Sequence, residues 1–147
     1  MTIQSVAGSK IFIATASGLP TTYDTAGFAA KTYVEIKQVS NIGDFGSTFA
    51  EITFTGISDR VVQKLKGSEN IGTQAVDMAY DATDTGQIRV RAALREDASS
   101  AVKVVFQDGS TFYYMAKVMS APFKLGSVDT VTMASASFGL DGKIVTV

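Results

Sequence analysis

The sequence predicts a mainly β fold: an antiparallel β-sandwich or barrel-like domain with one flanking α-helix at about residues 84–97. Three observations carry that expectation. Several short segments alternate apolar and polar residues with the period of a half-buried strand. The pair Asp108-Gly109 stands between two strand-like runs, the signature of a tight hairpin. Only Ala79 to Ala98 (AYDATDTGQIRVRAALREDA) has both a helix start signal and helical spacing. One helix in a β-rich chain reads as a single cover laid over a sheet.

In chain order, Lys10–Thr15 is a short apolar strand, and Gly18–Ala30, punctuated by Pro20 and Gly27, reads as a turn-rich loop. Tyr33–Val39 alternates, with Val34 and Ile36 opposite Glu35 and Lys37, and Asn41–Ser47 (NIGDFGS) follows as a loop. Phe49–Gly56 sets Ala50, Ile52 and Phe54 against Glu51, Thr53 and Thr55. Arg60–Lys66 sets Val61 and Leu65 against Lys64 and Lys66. In Thr73–Tyr80 the residues Gln74, Val76, Met78 and Tyr80 share the apolar face.

Asp84 is placed to cap the helix, with Gln87 three residues on to complete a capping box. Ile88, Ala92 and Arg95 fall on one stripe, and Val90, Ala93, Leu94 and Asp97 on the next. The apolar face is therefore narrow, with Leu94 its largest member, and is expected to lie against the sheet. From Ala101 to Met119, Asp108-Gly109 predicts a two-residue type I′ turn. Beyond it Phe112, Tyr114, Ala116 and Val118 face one way and Tyr113, Met115, Lys117 and Met119 the other. A strand apolar on both faces is covered on both faces. Pro122 marks an edge or a break. Val128–Phe138 reads as a long strand and Lys143–Val147 as a last short one.

Composition narrows the function. A chain of 147 residues buries about 68–70% of its unfolded surface and is expected to form one domain, residues 1–147. Charged residues make up 18% and the mean hydropathy is +0.18, which is apolar for a domain without a membrane span. No run reaches the roughly 18 apolar residues that cross a bilayer, and the first residues lack a basic stretch followed by a long apolar one. Surplus apolar surface then points to burial between subunits, with no membrane as partner.

Histidine and cysteine are both absent. That removes the commonest general base, thiolate nucleophiles, disulfides and the usual zinc ligands. Thirteen basic and 14 acidic residues give a net charge of −1 with no basic stripe for gripping phosphates. Asp81, Asp84, Glu96 and Asp97 cluster around the helix, but a hard cation wants oxygens converging from one loop, and Asp84 is better used as a cap. Ser127, Ser135 and Ser137 have no activating base. Gly43-Asp44-Phe45-Gly46 lacks the helix and lysine of a phosphate loop and reads as a turn. Tyr113 and Tyr114 lack interleaved basic residues and read as packing. Arg89, Arg91 and Arg95 read as a solvated or intersubunit ion-pairing surface. No enzyme, metal or cofactor is expected.

The order and spacing of several segments carry a resemblance that no single motif would. These are Val39-Ser40-Asn41-Ile42-Gly43-Asp44-Phe45-Gly46, Lys64-Leu65-Lys66-Gly67-Ser68, Gly72-Thr73, and Asp77-Met78-Ala79-Tyr80-Asp81 leading into Asp84, Gly86-Gln87 and Leu94. Phe106-Gln107-Asp108-Gly109-Ser110-Thr111-Phe112, Ala116-Lys117-Val118 and Gly126-Ser127-Val128-Asp129 follow. Over roughly residues 8–138 the chain resembles the major tail tube proteins of long, non-contractile-tailed (siphovirus-type) bacteriophages.

The resemblance implies a structural virion protein of the tail, assembled in the host cytoplasm. Its hexameric rings would stack into a tube through which phage DNA passes. The implied partners are the chain itself, the tape measure, the initiator and terminator proteins of the tail, and DNA in transit. Some relatives carry a further immunoglobulin-like domain, for which this sequence has no room. Within this frame Asp44, Phe45, Asp59, Arg60 and Glu69 are expected at contacts between subunits or rings, because Asn41–Ile71 is glycine-rich and poor in large core residues. Glu51, Thr53, Thr55, Lys64, Lys66 and Asp77 are expected to face the lumen, on the polar sides of their strands. The alternative is a small monomeric β-barrel that binds an apolar ligand.

Overall fold

The alternating segments become strands of two separate antiparallel sheets in a computed structural model that describes residues 3–147. In chain order the elements are β1 (Lys10–Ala14), α1 (Thr25–Ala29), β2 (Tyr33–Glu35), β3 (Val39–Ile42), β4 (Thr48–Thr55) and β5 (Val62–Asn70). They continue as β6 (Thr73–Ala79), α2 (Thr85–Ala93), β7 (Ser100–Val105), β8 (Thr111–Ser120), β9 (Phe123–Lys124) and β10 (Met133–Thr146). The main sheet runs β2-β1-β7-β8-β10-β6-β3, with β9 also on β10; β4 and β5 form a two-stranded sheet of their own. The expected mainly β, antiparallel, barrel-like fold with a flanking helix is the fold observed.

The main sheet rolls until its ends meet. Its edge strands β2 and β3 are joined by the short link 36–38, and that link is bonded to both sides: Ile36 N–H donates to Ile11 O, and Ala79 N–H donates to Gln38 O. Gln38 takes a left-handed conformation (φ 62°), which breaks the expected Tyr33–Val39 strand in two. Inside the roll, Ile11, Ile13, Val76, Met78, Val102, Val104, Tyr114, Ala116, Ala136 and Phe138 form one core with Val90 and Ala93 of α2. Gln74 lies in that core as well and accepts a hydrogen bond from the Tyr114 hydroxyl, which satisfies both polar groups.

The helix α2 seats by a close approach. A Cβ on Gly86 would come within 2.2 Å of Glu35 O, so only glycine fits there. Asp84 caps the helix as expected, its carboxylate accepting from Gln87 N–H at 3.2 Å and from Lys37 N–H at 3.0 Å. Gln87 does not close the capping box. Its side chain is fully buried, donates to Lys37 O and Ala79 O, and accepts from Asp81 N–H. The pair thus stitches the helix to the link between the two sheet edges. Regular helix ends at Ala93 rather than near 97.

The buried face of α2 is Gly86, Gln87, Arg89, Val90 and Ala93: of the second expected stripe Val90 and Ala93 are buried, Leu94 is half-buried and Asp97 exposed, while Ile88, Ala92 and Arg95 of the first are exposed. Arg89 corrects the expectation of a solvated arginine row most clearly. Its guanidinium is buried and donates to Ala14 O at 2.8 Å, to Ser100 Oγ at 3.0 Å and to the Glu96 carboxylate at 3.0 Å.

The β7–β8 strands are covered on both faces as expected. The second face (Ala14, Ala101, Tyr113, Met115) is covered by Phe28 of α1, which lies in the stretch expected to be loop. Asp24 caps this helix by accepting from Gly27 N–H at 2.8 Å. The β7–β8 turn differs from the expected type I′. Phe106 N–H donates to Ser110 O and Gly109 N–H to Phe106 O; Gly109 has φ 94° while Asp108 keeps a negative φ. That is a three-residue loop with glycine in the left-handed position. The last two expected strands are one, β10, with a register shift between Asp141 and Val145, and residues 128–132, expected to begin the first of them, are loop.

Candidate functional site

The two-stranded sheet is where the chain leaves most unfinished. Every residue of β4 is exposed, as is every residue of β5 except Gly67. The register pairs Ile52 with Leu65, Thr53 with Lys64 and Glu51 with Lys66, so the alternation read from sequence holds on both strands. One face carries Ala50, Ile52, Phe54 and Leu65, with Ile52, Phe54 and Leu65 about half to two-thirds accessible. The other carries Glu51, Thr53, Thr55, Lys64 and Lys66, the five of the expected lumen set that the structure brings together. Lys64 Nζ lies 3.5 Å from Glu51 Oε1, both side chains exposed, and Lys66 sits over the Phe49 ring.

Asp77 is apart from these five, on β6 in the main sheet. It accepts from Ser135 Oγ at 2.8 Å and from Lys124 Nζ at 3.3 Å. The Ser135 hydrogen bond, then the Lys124 contacts, hold its carboxyl below the ordinary range.

The residues expected at subunit contacts scatter in a telling way. Asp59 and Arg60 stand at the exposed tip between β4 and β5, where Arg60 has φ 58° and Ile57 is 100% accessible. Glu69 is exposed opposite Phe49 near the base of the sheet. Asp44 is exposed, while Phe45 is half-buried and packs into the chain's own aromatic cluster, 5.2 Å from Tyr114, 5.7 Å from Phe112 and 6.4 Å from Phe106 between ring centroids.

That cluster floors a groove of about 810 Å³ between the N-terminal residues, the 43–47 segment and the end of the main sheet. Its apolar lining is Val6, Ile42, Phe45, Val104, Phe106, Phe112 and Ile144, and Asp44 is the one charged residue among the described residues that line it. Sequence reasoning expected Phe45 at a contact between subunits and did not foresee the groove, because the lining comes from β3, β7, β8 and β10 and no local pattern joins them. A second exposed apolar group, Met119, Phe123, Leu125, Val128 and Val131, lies around β9 and the loop after it.

Three of the four acidic residues around α2 are engaged locally, and Asp97 is exposed. Asp81 accepts from Thr83, Asp84 caps the helix, and Glu96 pairs with Arg89. The Arg89 hydrogen bonds hold the Glu96 carboxyl below its usual value. No three such residues gather as a metal cage among the described residues, and no described helix is long and apolar enough to cross a membrane.

No protein-family model and no curated protein matches the sequence. Solved structures do match over the whole chain. The sheath/tube terminator of an extracellular contractile injection system aligns with TM-score 0.72 at 7% identity, covering 100% of this chain and 98% of that one. A chain of the gene transfer agent tail, solved with C6 symmetry, aligns with TM-score 0.71 at 11% identity, covering 99% of each. The SPP1 tail tube protein aligns with TM-score 0.64 at 15% identity, covering 94% of this chain and 77% of that one. The fold is that of tail-tube-like proteins.

Proposed function

We propose that the chain is a single tube domain, the structural subunit of a phage-type tail tube. Its hexameric rings stack into a conduit for DNA, and it resides in the virion tail after assembly in the host cytoplasm. The observation that carries this reading is the β4–β5 sheet, two-sided and exposed throughout, on a fold shared end to end with tube components. A sheet with two open edges and an uncovered apolar face is a template for pairing, and assembly is what turns that liability into structure. The six-fold symmetry of the gene transfer agent tail supports the hexamer. The non-contractile tail type rests on the sequence resemblance alone.

In this reading the tape measure, initiator and terminator are partners at the ends or inside of the tube. Asp44, Phe45, Asp59, Arg60 and Glu69 are contact residues, and Glu51, Thr53, Thr55, Lys64, Lys66 and Asp77 face the lumen. Opposite charges within a Debye length of about 8 Å largely cancel at physiological salt, so the Glu51–Lys64 face presents a weak field to passing DNA. Negative-stain images of purified protein test the proposal: tubes of stacked rings are expected. A persistent monomer at high concentration would contradict it. The groove favours the second reading, a monomeric barrel with an apolar ligand, and a monomer that co-purifies with such a ligand would establish it.

A further inference from the structure

We infer that the tip of the β4–β5 hairpin of one copy seats in the apolar groove of a second copy, with Ile57 as its anchor. This rests on the assembly reading above and names the two surfaces that meet. The tip offers a fully accessible isoleucine beside Val61 and Val62, themselves more than half accessible. The groove offers an aromatic floor of Phe45, Phe106 and Phe112 and a volume of about 810 Å³, within the range of pockets that enclose a ligand.

The hairpin tip cannot reach the groove of its own chain. Gly46 and Ser47 line the groove and lead directly into β4, so the groove lies at the hairpin's base. At about 3.3 Å per residue, an eight-residue strand carries the tip about 25 Å away. A hairpin tip seated in the groove therefore belongs to another copy. Charge agrees: among the described residues that line the groove Asp44 is the one that is charged, and Arg60 stands three residues beyond Ile57. Because tip and groove are different patches, the contact is head-to-tail: each copy gives one tip and receives one. Such contacts propagate into rings or stacks instead of stopping at a dimer.

The absence of cysteine makes the test clean. The double variant Ile57→Cys/Ser47→Cys is assembled, oxidised mildly and digested, and its linked peptides are identified by mass spectrometry. A disulfide needs Cα atoms about 4.4–6.8 Å apart, so it reports direct contact. The expected result is a predominant linkage between positions 57 and 47, with covalent multimers larger than dimers that neither single variant forms. Tubes that form without this linkage, or with mainly 57–57 linkage, overturn the docking and leave the tube reading standing. Unsubstituted protein that forms no tubes overturns both. A folded Ile57→Asp variant provides the second arm. Tube yield is expected to fall at least tenfold with the subunit's melting temperature unchanged, and undiminished tubes would refute the anchor. An apolar small molecule that still occupies the groove in finished tubes would refute it as well.

Discussion

The two long hairpins of this chain, β7–β8 and β4–β5, are built from strands of similar length and end in opposite environments. Tyr113, Tyr114, Met115 and Ala116 are buried on both faces of β8, between the core and Phe28. Phe49, Ile52 and Phe54 of β4 are exposed on a two-stranded sheet that no other element covers. The difference lies in what each sequence offers its faces. A strand apolar on both sides finds covers within the chain, whereas one with a charged side and an apolar side keeps the first in water and needs a partner for the second. An isolated two-stranded hairpin is marginal in water, so the contrast is one of stability as well as exposure.

Truncating one large aromatic from each region is the sharpest way to break the comparison. Phe138→Ala in the core is expected to cost about 3–5 kcal/mol of subunit stability. Phe54→Ala is expected to stay within about 0.5 kcal/mol in the subunit while tube assembly is lost. Chemical denaturation of both variants, with imaging of their assemblies, checks the pair. Equal stability losses would erase the distinction.

Arg89→Leu comes next. It leaves Ala14 O and Ser100 Oγ in a buried site without their donor, and a loss of about 2–4 kcal/mol is expected from the denaturation midpoint. Leu94→Ala, on the half-buried C-cap of α2, is expected to cost less than about 2 kcal/mol.

A smaller effect is expected from acid. Arg89 lowers the folded-state pKa of Glu96, so this pair's contribution is present above the ordinary glutamate value of 4.5. It is lost as pH falls through the lower folded value. Because the pair is partly exposed, the amount is below about 1 kcal/mol. Glu96→Gln is expected to flatten the stability profile below about pH 4.5, measured as melting temperature across an acid titration. A profile identical to the parent's would remove the pair from the account.

Much of this was legible in the residues, and the misses share a cause. Alternation set the faces of β4, β5 and β6 correctly, including Gln74 on the apolar side, because period two is a local property. Asp84 as a cap was equally local. Arg89 was misread because a charged residue at helical spacing normally faces water, and its partners Ala14 and Ser100 come from distant strands. The five-residue α1 offers only a cap and one buried phenylalanine, too little periodicity to read. The groove could not be read at all, since its floor is assembled by sheet order. By contrast, the exposed tip was visible from its glycine, charges and lack of large core residues.

Amide hydrogen exchange across Thr48–Asn70, compared between free subunit and assembled tube, tests the central claim most directly. In the free subunit this segment is expected to exchange far faster than Ser100–Ser120, and in the tube to be protected to a similar degree. A segment already as protected as β7–β8 in the monomer, or still unprotected in the tube, would contradict the account.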